Sequence, residues 1–223
     1  MNLKHKGVIF DLDGTLVDTL GDIAASMNRA LSLRGFPELK TEEYREKVGW
    51  GIKQLAFLCL NAASPGLSDA EETAAELAAE AAVFYAENPL VHTRPYPGIP
   101  ELLSALVQKK IKCAVLTNKP DPVAQKVVSG LFAPGSFCKV QGEIIGSNLR
   151  KPDPTCVWEL LVDLNLTPAD IIFAGDSEVD METAINAGCY PLGVSWGYRS
   201  AETIRKAGAK KIIDKPEELL EFF

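Results

Sequence analysis

A short apolar run that ends in two carboxylates constrains the fold of this chain most strongly. Residues 8–10 read Val-Ile-Phe, and Asp11, Leu12 and Asp13 follow directly. An unbroken apolar run of this kind is typical of a strand that is buried on both faces in a parallel sheet. Side chains two positions apart share one face of an extended chain, so Asp11 and Asp13 point together. Because open α/β sheets bind ligands at the carboxyl ends of their strands, this pair is a candidate for chemistry.

The two carboxylates repel each other unless a metal ion or a proton relieves the repulsion. A calcium loop is excluded, because a D-x-[DN]-x-[DN]-G pattern starting at Asp11 puts Thr15 at its fifth position and Leu16 where glycine is required. A plain turn rich in Asp and Gly stays open as an alternative on this segment alone.

Charge and length limit the possible functions. The chain has 223 residues, which allows one large domain or two smaller ones. Its formal net charge is -7, and its Lys and Arg residues are scattered, so a nucleic-acid-binding surface is not expected. An anionic substrate would therefore need a local positive site, supplied by a metal ion or by a well-placed lysine.

The N-terminus and the cysteines indicate a cytoplasmic protein. Residues 1–6 carry charge without a following apolar segment, so we expect no signal peptide, and no apolar run is long enough to span a membrane. The five cysteines are widely spaced and form no C-x-x-C pair, which is typical of reduced, mostly buried thiols. We expect neither a membrane nor a nucleic-acid partner, and either a monomer or a homodimer.

The sequence of residues 17–92 predicts consecutive helices with no strand between them. A capping box at residues 68–71 opens a long helix rich in Ala and Glu. The segment Pro95-Tyr96-Pro97-Gly98 then breaks the pattern and is a natural return linker. We expect an all-α domain inserted after the first strand.

Beyond the linker, strands alternate with helices. The predicted strands comprise residues 113–117, 139–145, 171–174, 192–194 and 212–213. Such alternation indicates βαβ units and a parallel sheet. The predicted fold class is α/β, with a Rossmann-like doubly wound parallel sheet formed by residues 1–16 and 93–223, and an inserted all-α domain formed by residues 17–92.

Two further segments with phosphate-binding chemistry follow this pattern. Thr117 and Asn118 follow a predicted strand, where hydroxyl and amide groups suit a phosphate oxygen, although Thr117 could simply cap the next helix. Lys151 precedes two prolines that fix the direction of the chain, although a lone lysine is usually a solvated surface group.

A third strand end carries another carboxylate. Asp176 follows Gly175 after a predicted strand, in the position that Asp11 occupies after the first one. Oxygen atoms of Asp11 and Asp176, with a backbone carbonyl and waters, would suit Mg²⁺. Because these segments all lie at the carboxyl ends of predicted parallel strands, we expect them to meet at one edge of the sheet.

Taken in order, these segments resemble the four motifs of the haloacid dehalogenase superfamily. The motifs are Asp11-Leu12-Asp13-Gly14-Thr15, Thr117-Asn118, Lys151-Pro152-Asp153-Pro154 and Gly175-Asp176-Ser177-x-x-Asp180. The inserted helices are similar to the α-helical C1-type cap of that superfamily. The phosphoglycolate phosphatase-like subgroup is the most similar one, through residues 48–51, 95–98 and 194–198.

The resemblance implies a role for each motif residue. Asp11 would be the nucleophile that forms an aspartyl-phosphate, Asp13 would carry the proton, and Thr117 and Lys151 would stabilise the transition state. Mg²⁺ would be the cofactor. Its implied ligands are Asp11, Asp13 and Asp176. Asp180 and Ser177 would support these ligands without binding the metal directly.

The resemblance also implies where the substrate binds. Gly14, Thr15 and Asn118 would contact the phosphate group. In the cap, Trp50 and Lys53 flank a Gly-x-Gly turn and are hypothetical substrate contacts, with one buried aromatic residue and one solvated lysine as the alternative.

The implied function is a Mg²⁺-dependent phosphatase for small phosphomonoesters, with a phosphoglycolate-like metabolite favoured. Asp13 favours phosphate esters, since phosphonatase-like members have a small residue there and dehalogenases an aromatic one. The alternatives are a phosphosugar mutase similar to β-phosphoglucomutase, a pyrophosphatase, or a catalytically inactive binding or regulatory protein. A nicotinamide-binding protein is disfavoured, because no G-x-G-x-x-G segment follows the first strand.

Overall fold

The computed structural model of the chain describes residues 5–144, 147 and 149–223. The chain forms two compact units, one comprising Met1–Asp18 and Pro95–Phe223 and the other comprising Thr19–Arg94. The unit boundaries therefore follow residues 18 and 94, whereas the sequence places them after residues 16 and 92.

The first unit is built on a six-stranded sheet in which every neighbouring pair of strands is parallel. The strands are β1 (Gly7–Phe10), β4 (Lys112–Pro120), β5 (Lys139–Glu143), β6 (Ile171–Gly175), β7 (Tyr190–Val194) and β8 (Lys211–Ile213). Their spatial order is β5-β4-β1-β6-β7-β8. The predicted parallel, Rossmann-like sheet is confirmed.

Helices of the first unit connect these strands. They are α4 (Ile99–Gln108), α5 (Asp121–Leu131), α6 (Thr155–Leu164), α7 (Glu178–Ala187) and α8 (Ala201–Lys206). Two short strands, β2 (Val17–Asp18) and β3 (Arg94–Pro95), lie where the chain leaves and re-enters this unit. Among the described helices of both units, none is long and apolar enough to cross a membrane.

The order of the strands explains where a ligand site can form. Strand β1 pairs with β4 on one side and with β6 on the other, so the direction of winding reverses beside β1. Ligands of doubly wound sheets bind outside the carboxyl ends of the strands at this reversal. The carboxyl ends of β1 and β6 are followed by Asp11 and Asp176.

The apolar core holds these strand ends in place. All four residues of β1 and all five of β6 are buried, as expected of strands covered on both faces. Ile9, Leu116 and Phe173 belong to one cluster with buried residues of α6, among them Leu160. The structure describes all five cysteines as free thiols, and only Cys138 among them is exposed.

Several element boundaries differ from the sequence prediction. Strand β4 continues to Pro120, beyond the predicted end at Thr117, and β5 ends at Glu143. The predicted end of that strand, Ile145, lies outside the described residues. Residues Pro216–Phe222 form a 3-10 helix, and Thr41–Tyr44 form a single 3-10 turn.

The second unit contains three α-helices, α1 (Leu20–Leu33), α2 (Ile52–Ala63) and α3 (Ala70–Glu87). Asp22 in α1 is buried and accepts three hydrogen bonds from the segment that follows α3. The donors are the backbone N–H of His92 (2.9 Å), the backbone N–H of Thr93 (2.9 Å) and the hydroxyl of Thr93 (2.7 Å). One carboxylate thus secures the end of the unit to its first helix.

Asp22→Ala is expected to lower the free energy of unfolding of the helical unit by roughly 3 kcal/mol, because it leaves two buried donors of Thr93 and one partly buried donor of His92 without their acceptor. Asp69→Ala, an exposed N-cap of α3 without a side-chain capping hydrogen bond, is the matched control. Its loss is expected to stay below about 1 kcal/mol. Denaturant unfolding monitored by far-ultraviolet circular dichroism measures both losses. Equal losses for the two variants would contradict this account of Asp22.

Candidate active site

Carboxylates from two strand ends and one helix meet at the carboxyl edge of the sheet. Asp11 follows β1, Asp176 follows β6, and Asp180 lies in the first turn of α7. One carboxylate oxygen of each lies within 4.8 Å of the others, and all three residues are buried. This confirms the expected convergence of the strand ends, since β1 and β6 are adjacent and parallel.

Lys151 is the cation of this carboxylate cluster. Its Nζ donates hydrogen bonds to Oδ1 of Asp11 (2.7 Å) and to Oδ1 of Asp180 (2.6 Å). The Lys151 side chain is only 3% exposed, so the alternative of a solvated surface lysine is wrong. A buried ammonium group needs such partners, because an unpaired buried charge is strongly unfavourable.

Asn118 fixes the backbone of Lys151. Its Nδ2 donates to the Lys151 carbonyl (3.1 Å), and its Oδ1 accepts from the Lys151 N–H (2.9 Å). Both polar atoms of the carboxamide therefore bind the Lys151 backbone, and these hydrogen bonds position Lys151. Contact with a substrate, as the sequence suggests for Asn118, stays a prediction.

Asp180 is held by the start of its own helix. Its Oδ2 accepts hydrogen bonds from the Ser177 hydroxyl (2.6 Å) and the Ser177 N–H (3.1 Å). Since Lys151 binds Oδ1, both oxygens of Asp180 are engaged, and the side chain is fully buried. Asp180 and Ser177 thus form a rigid support for Lys151.

Two glycines and one loop enclose Asp176. Its Oδ2 accepts a hydrogen bond from the Tyr198 N–H (2.6 Å), and its Oδ1 accepts one from the Thr15 hydroxyl (3.3 Å). A Cβ at Gly14 would lie 2.4 Å from Oδ2, and a Cβ at Gly197 would lie 2.3 Å from the Asp176 Cβ. Only glycine leaves room for Asp176 at both positions.

Trp196, in the same loop, binds the segment that follows β1. Its indole Nε1–H donates to the carbonyl oxygen of Thr15 (3.0 Å). The sequence marks residues 194–198 only through the family resemblance. The loop lies next to Asp176 because β7, which precedes it, pairs with β6 in parallel.

Asp13 is held by a second buried lysine that sequence reasoning missed. Lys119 Nζ lies 2.8 Å from Oδ1 of Asp13, and the Lys119 side chain is 2% exposed. A lone lysine after Thr117-Asn118 gives no strong signal in the sequence. One signal was available. Because Lys119 lies two positions beyond Thr117 and β4 extends past both, the two side chains lie on the same face of the strand.

Thr117 is buried at the same strand end. Its Oγ1 accepts a hydrogen bond from the Lys119 N–H (3.2 Å). The alternative that Thr117 caps the following helix is wrong, because α5 begins at Asp121 with Pro120 as its N-cap. Its hydroxyl belongs to the same edge of the sheet as the lysines.

Comparison with known protein families assigns the chain to a family. A family model described as haloacid dehalogenase-like hydrolase matches residues 8–194, which is most of the chain. The chain belongs to the haloacid dehalogenase-like hydrolase family.

Individual relatives agree with this assignment. A phosphoglycolate phosphatase of Mannheimia succiniciproducens is 35% identical over 89% of this chain and 89% of its own. An N-acetylmuramic acid 6-phosphate phosphatase of Pseudomonas aeruginosa is 32% identical over 98% of this chain and 95% of its own. A crystal structure from Lactobacillus delbrueckii subsp. bulgaricus is 31% identical, covers 98% of both chains and superposes with a TM-score of 0.89.

Burial and mutual repulsion shape the protonation of this hydrolase site. Burial, followed by the nearby Asp180 charge, raises the pKa of Asp11 well above its ordinary value even though Lys151 opposes the shift. The same two causes raise the pKa of Asp176 to about 7. Burial alone would lower the pKa of Lys151, but Asp11 and Asp180 outweigh it and raise that pKa, so Lys151 stays charged.

The donor set fits a divalent metal ion. Oxygen atoms from three buried carboxylates suit a hard cation such as Mg²⁺, and a positive ion would oppose the burial and the repulsion that raise the pKa values of Asp11 and Asp176. Asp180 joins Asp11 and Asp176 in this cluster. The carboxylate of Asp13 binds Lys119 instead, and its expected place among the metal ligands stays a prediction.

The two expected cap contacts belong to the helical unit. Trp50 is half-buried just before α2, and Lys53 is exposed in the first turn of α2. Their role in substrate binding stays a prediction.

Asp176→Asn is expected to change how stability depends on pH in a chelator-treated sample. Folded Asp176 keeps its proton up to a pH of about 7, whereas the unfolded carboxyl loses it near 3.8. Raising the pH from about 5 to about 8 should therefore destabilise the unmodified protein relative to the variant, by on the order of 2 kcal/mol.

Denaturant unfolding at several pH values measures this difference. The amide of the variant changes the free energy of unfolding by an amount that does not depend on pH. Asp163→Asn, at an exposed site, is the control, and its free energy of unfolding should follow that of the unmodified protein at every pH. A difference that stays constant, or that changes in the opposite direction, would contradict the raised pKa of Asp176.

Proposed function

We propose that this phosphatase hydrolyses phosphomonoesters of small metabolites through a phosphorylated Asp11. The observation that carries the proposal is the contact of the buried Lys151 ammonium with Asp11, beside a second carboxylate, Asp13, with its own buried partner Lys119. A carboxylate held beside a cation at a strand end is suited to attack phosphorus, and a separate carboxylate is suited to carry the proton.

In the first step, a carboxylate oxygen of Asp11 attacks the phosphorus atom of the ester. The bond between phosphorus and the ester oxygen breaks, and the leaving oxygen takes the proton of Asp13 to give the free alcohol. The Lys151 ammonium and the Thr117 hydroxyl donate hydrogen bonds to the non-bridging oxygens, where negative charge develops. The product of this step is an acyl phosphate on Asp11.

In the second step, the ionised Asp13 accepts a proton from a water molecule, and that water attacks the same phosphorus atom. The bond between phosphorus and the Asp11 oxygen breaks, which releases inorganic phosphate and restores both carboxyl groups. Two carboxylates are required because one is covalently occupied while the other transfers the proton.

Asp11 and Asp176 are the residues that we expect to hold Mg²⁺, with Asp180 beside them and Asp13 as a further proposed ligand. The bound ion would supply positive charge that lowers the repulsion between Asp11 and the substrate. The family supports a divalent metal, and the carboxylate oxygens support a hard cation such as magnesium.

For the substrate, we propose a phosphomonoester of a small carboxylic acid. Phosphoglycolate is favoured by the phosphoglycolate phosphatases among the relatives. A phosphorylated acid sugar is the second candidate, because a similar protein is an N-acetylmuramic acid 6-phosphate phosphatase. Both compounds carry a carboxylate as well as a phosphate ester.

A matched substrate panel tests this choice. Phosphoglycolate is compared with ethyl phosphate, and N-acetylmuramic acid 6-phosphate with N-acetylglucosamine 6-phosphate, so that each pair differs in the carboxylate. We expect kcat/KM to be at least about 10-fold higher for the acid of one pair, as one additional ion pair allows. Equal values within both pairs would contradict a carboxylate-bearing substrate.

The same panel separates the alternative functions. Hexose 1-phosphate converted to the 6-phosphate without net phosphate release would identify a mutase, and a preference for pyrophosphate would identify a pyrophosphatase. Failure to release phosphate from every compound would indicate a binding or regulatory protein.

Asp11→Asn is expected to lower phosphate release by at least about 1,000-fold, because an amide oxygen is a far weaker nucleophile than a carboxylate. The fold should persist, since Lys151 can still donate to the amide oxygen, and circular dichroism checks this. Asp163→Asn, an exposed site that pairs with Lys139, is the matched control and should keep full activity. Phosphate release by Asp11→Asn at a near-normal rate would rule out covalent catalysis by Asp11.

A further inference from the structure

We propose that Lys119 is a positioning residue that orients Asp13 for proton transfer to the leaving group, an inference that rests on the proposed function. Its ammonium lies 2.8 Å from Oδ1 of Asp13, and its side chain is 2% exposed. The Asp13 side chain is 12% exposed, so the pair lies at the boundary between the protein interior and the ligand-accessible edge of the sheet.

Burial of Lys119 shows that it is more than a surface charge. Ordering a lysine side chain costs roughly 2 kcal/mol in conformational entropy, and removing its charge from water costs several more unless the charge is paired. An apolar residue would fill the same space at the end of β4 without these costs. The contact with Asp13, at 2.8 Å, stabilises this buried charge.

The backbone around Lys119 is held firmly. Its N–H donates to Oγ1 of Thr117 (3.2 Å), and Gly142 of β5 packs closely against it. A Cβ at Gly142 would lie 2.6 Å from the Lys119 carbonyl oxygen and 2.5 Å from the Cα of Asp121, so this close approach requires glycine. The Gly142 N–H also donates to Oδ1 of Asp121 (2.9 Å). Strands β4 and β5 together set the direction from which Lys119 reaches Asp13.

Lys119 and Lys151 each pair with different carboxylates. Lys151 binds Asp11 and Asp180, and Lys119 binds Asp13. Asp11 and Asp13 are only two positions apart, yet they are held by cations from different segments of the chain. Each carboxylate thus has a lysine partner of its own, and we expect proton transfer by Asp13 to depend on the orientation that Lys119 gives it.

The leaving group provides the test. Asp13 must protonate an alkoxide, which is a poor leaving group, whereas 2,4-dinitrophenolate departs without a proton. We compare kcat/KM for phosphoglycolate, or for the best alkyl ester of the panel, with kcat/KM for 2,4-dinitrophenyl phosphate. This parameter reports the steps up to the first phosphoryl transfer and is not affected by the later hydrolysis of the intermediate.

Lys119→Met is expected to lower kcat/KM for the alkyl ester by about 10- to 100-fold and for the aryl ester by less than about 3-fold. Lys119→Gln is measured in parallel in case methionine impairs folding, because glutamine keeps a polar side chain. It also removes the ammonium group, so it should give the same pattern. Lys139→Met is the matched control, because Lys139 also pairs with an aspartate, Asp163, but is about half-exposed. It should leave both values unchanged.

A double-mutant cycle tests whether Lys119 acts through Asp13. Asp13→Asn alone should lower kcat/KM for the alkyl ester by about 100-fold or more, and adding Lys119→Met should change it by less than about 3-fold further. Multiplicative effects would overturn the proposal. Equal losses on both esters, which would indicate a general structural or phosphate-binding role, would overturn it as well, and so would the absence of any loss.

The same measurements separate this inference from the proposed function. If the unmodified protein hydrolyses neither ester, the proposed function fails. If it hydrolyses both, and Asp11→Asn abolishes both activities, the proposed function stands whatever Lys119→Met does.

Discussion

A single buried ammonium group, that of Lys151, balances the two carboxylates on which the site depends. Without it, Asp11 and Asp180 would be two buried negative charges within 4.8 Å of each other. Burial together with Asp180 raises the pKa of Asp11 even in its presence. Lys151 is held from two directions, by Asn118 at its backbone and by Asp180 at its ammonium. Strand β4, helix α7 and the segment that leads to α6 must all be in place for Lys151 to contact Asp11 in this way.

Counting charges clarifies why a cation fits here. Among the described residues, the cluster and its neighbours include four carboxylates, Asp11, Asp13, Asp176 and Asp180, and two paired lysines, Lys119 and Lys151. With these six groups ionised, two negative charges remain, which is the charge that one divalent ion would neutralise. Under the proposed function, a bound divalent cation would offset this negative charge and so favour the binding of a phosphate dianion.

The sequence predicts that these residues meet at one edge of the sheet where each of them directly follows a strand. Asp11, Thr117 and Asp176 are found because each follows a buried apolar run, and parallel strands end at one edge. Lys119 escapes notice because β4 continues past Thr117, so its side chain is buried where the sequence suggests a loop.

Contacts that depend on tertiary packing could not be predicted. The carboxamide of Asn118 binds the backbone of Lys151, 33 positions away in the chain, and no local pattern signals that pairing. The need for glycine at 197 arises from Asp176 on a neighbouring strand end.

The central claim is that Asp11 becomes covalently phosphorylated, and trapping that intermediate tests it most directly. The protein is mixed with saturating substrate and Mg²⁺, quenched in acid within the first turnover, digested and examined by mass spectrometry. The account predicts a phosphoryl group on the peptide that contains Asp11, at the Asp11 carboxyl, which disappears as the substrate is consumed. Turnover with no phosphorylated Asp11 at any quench time, or a phosphoryl group on a different residue, would contradict it.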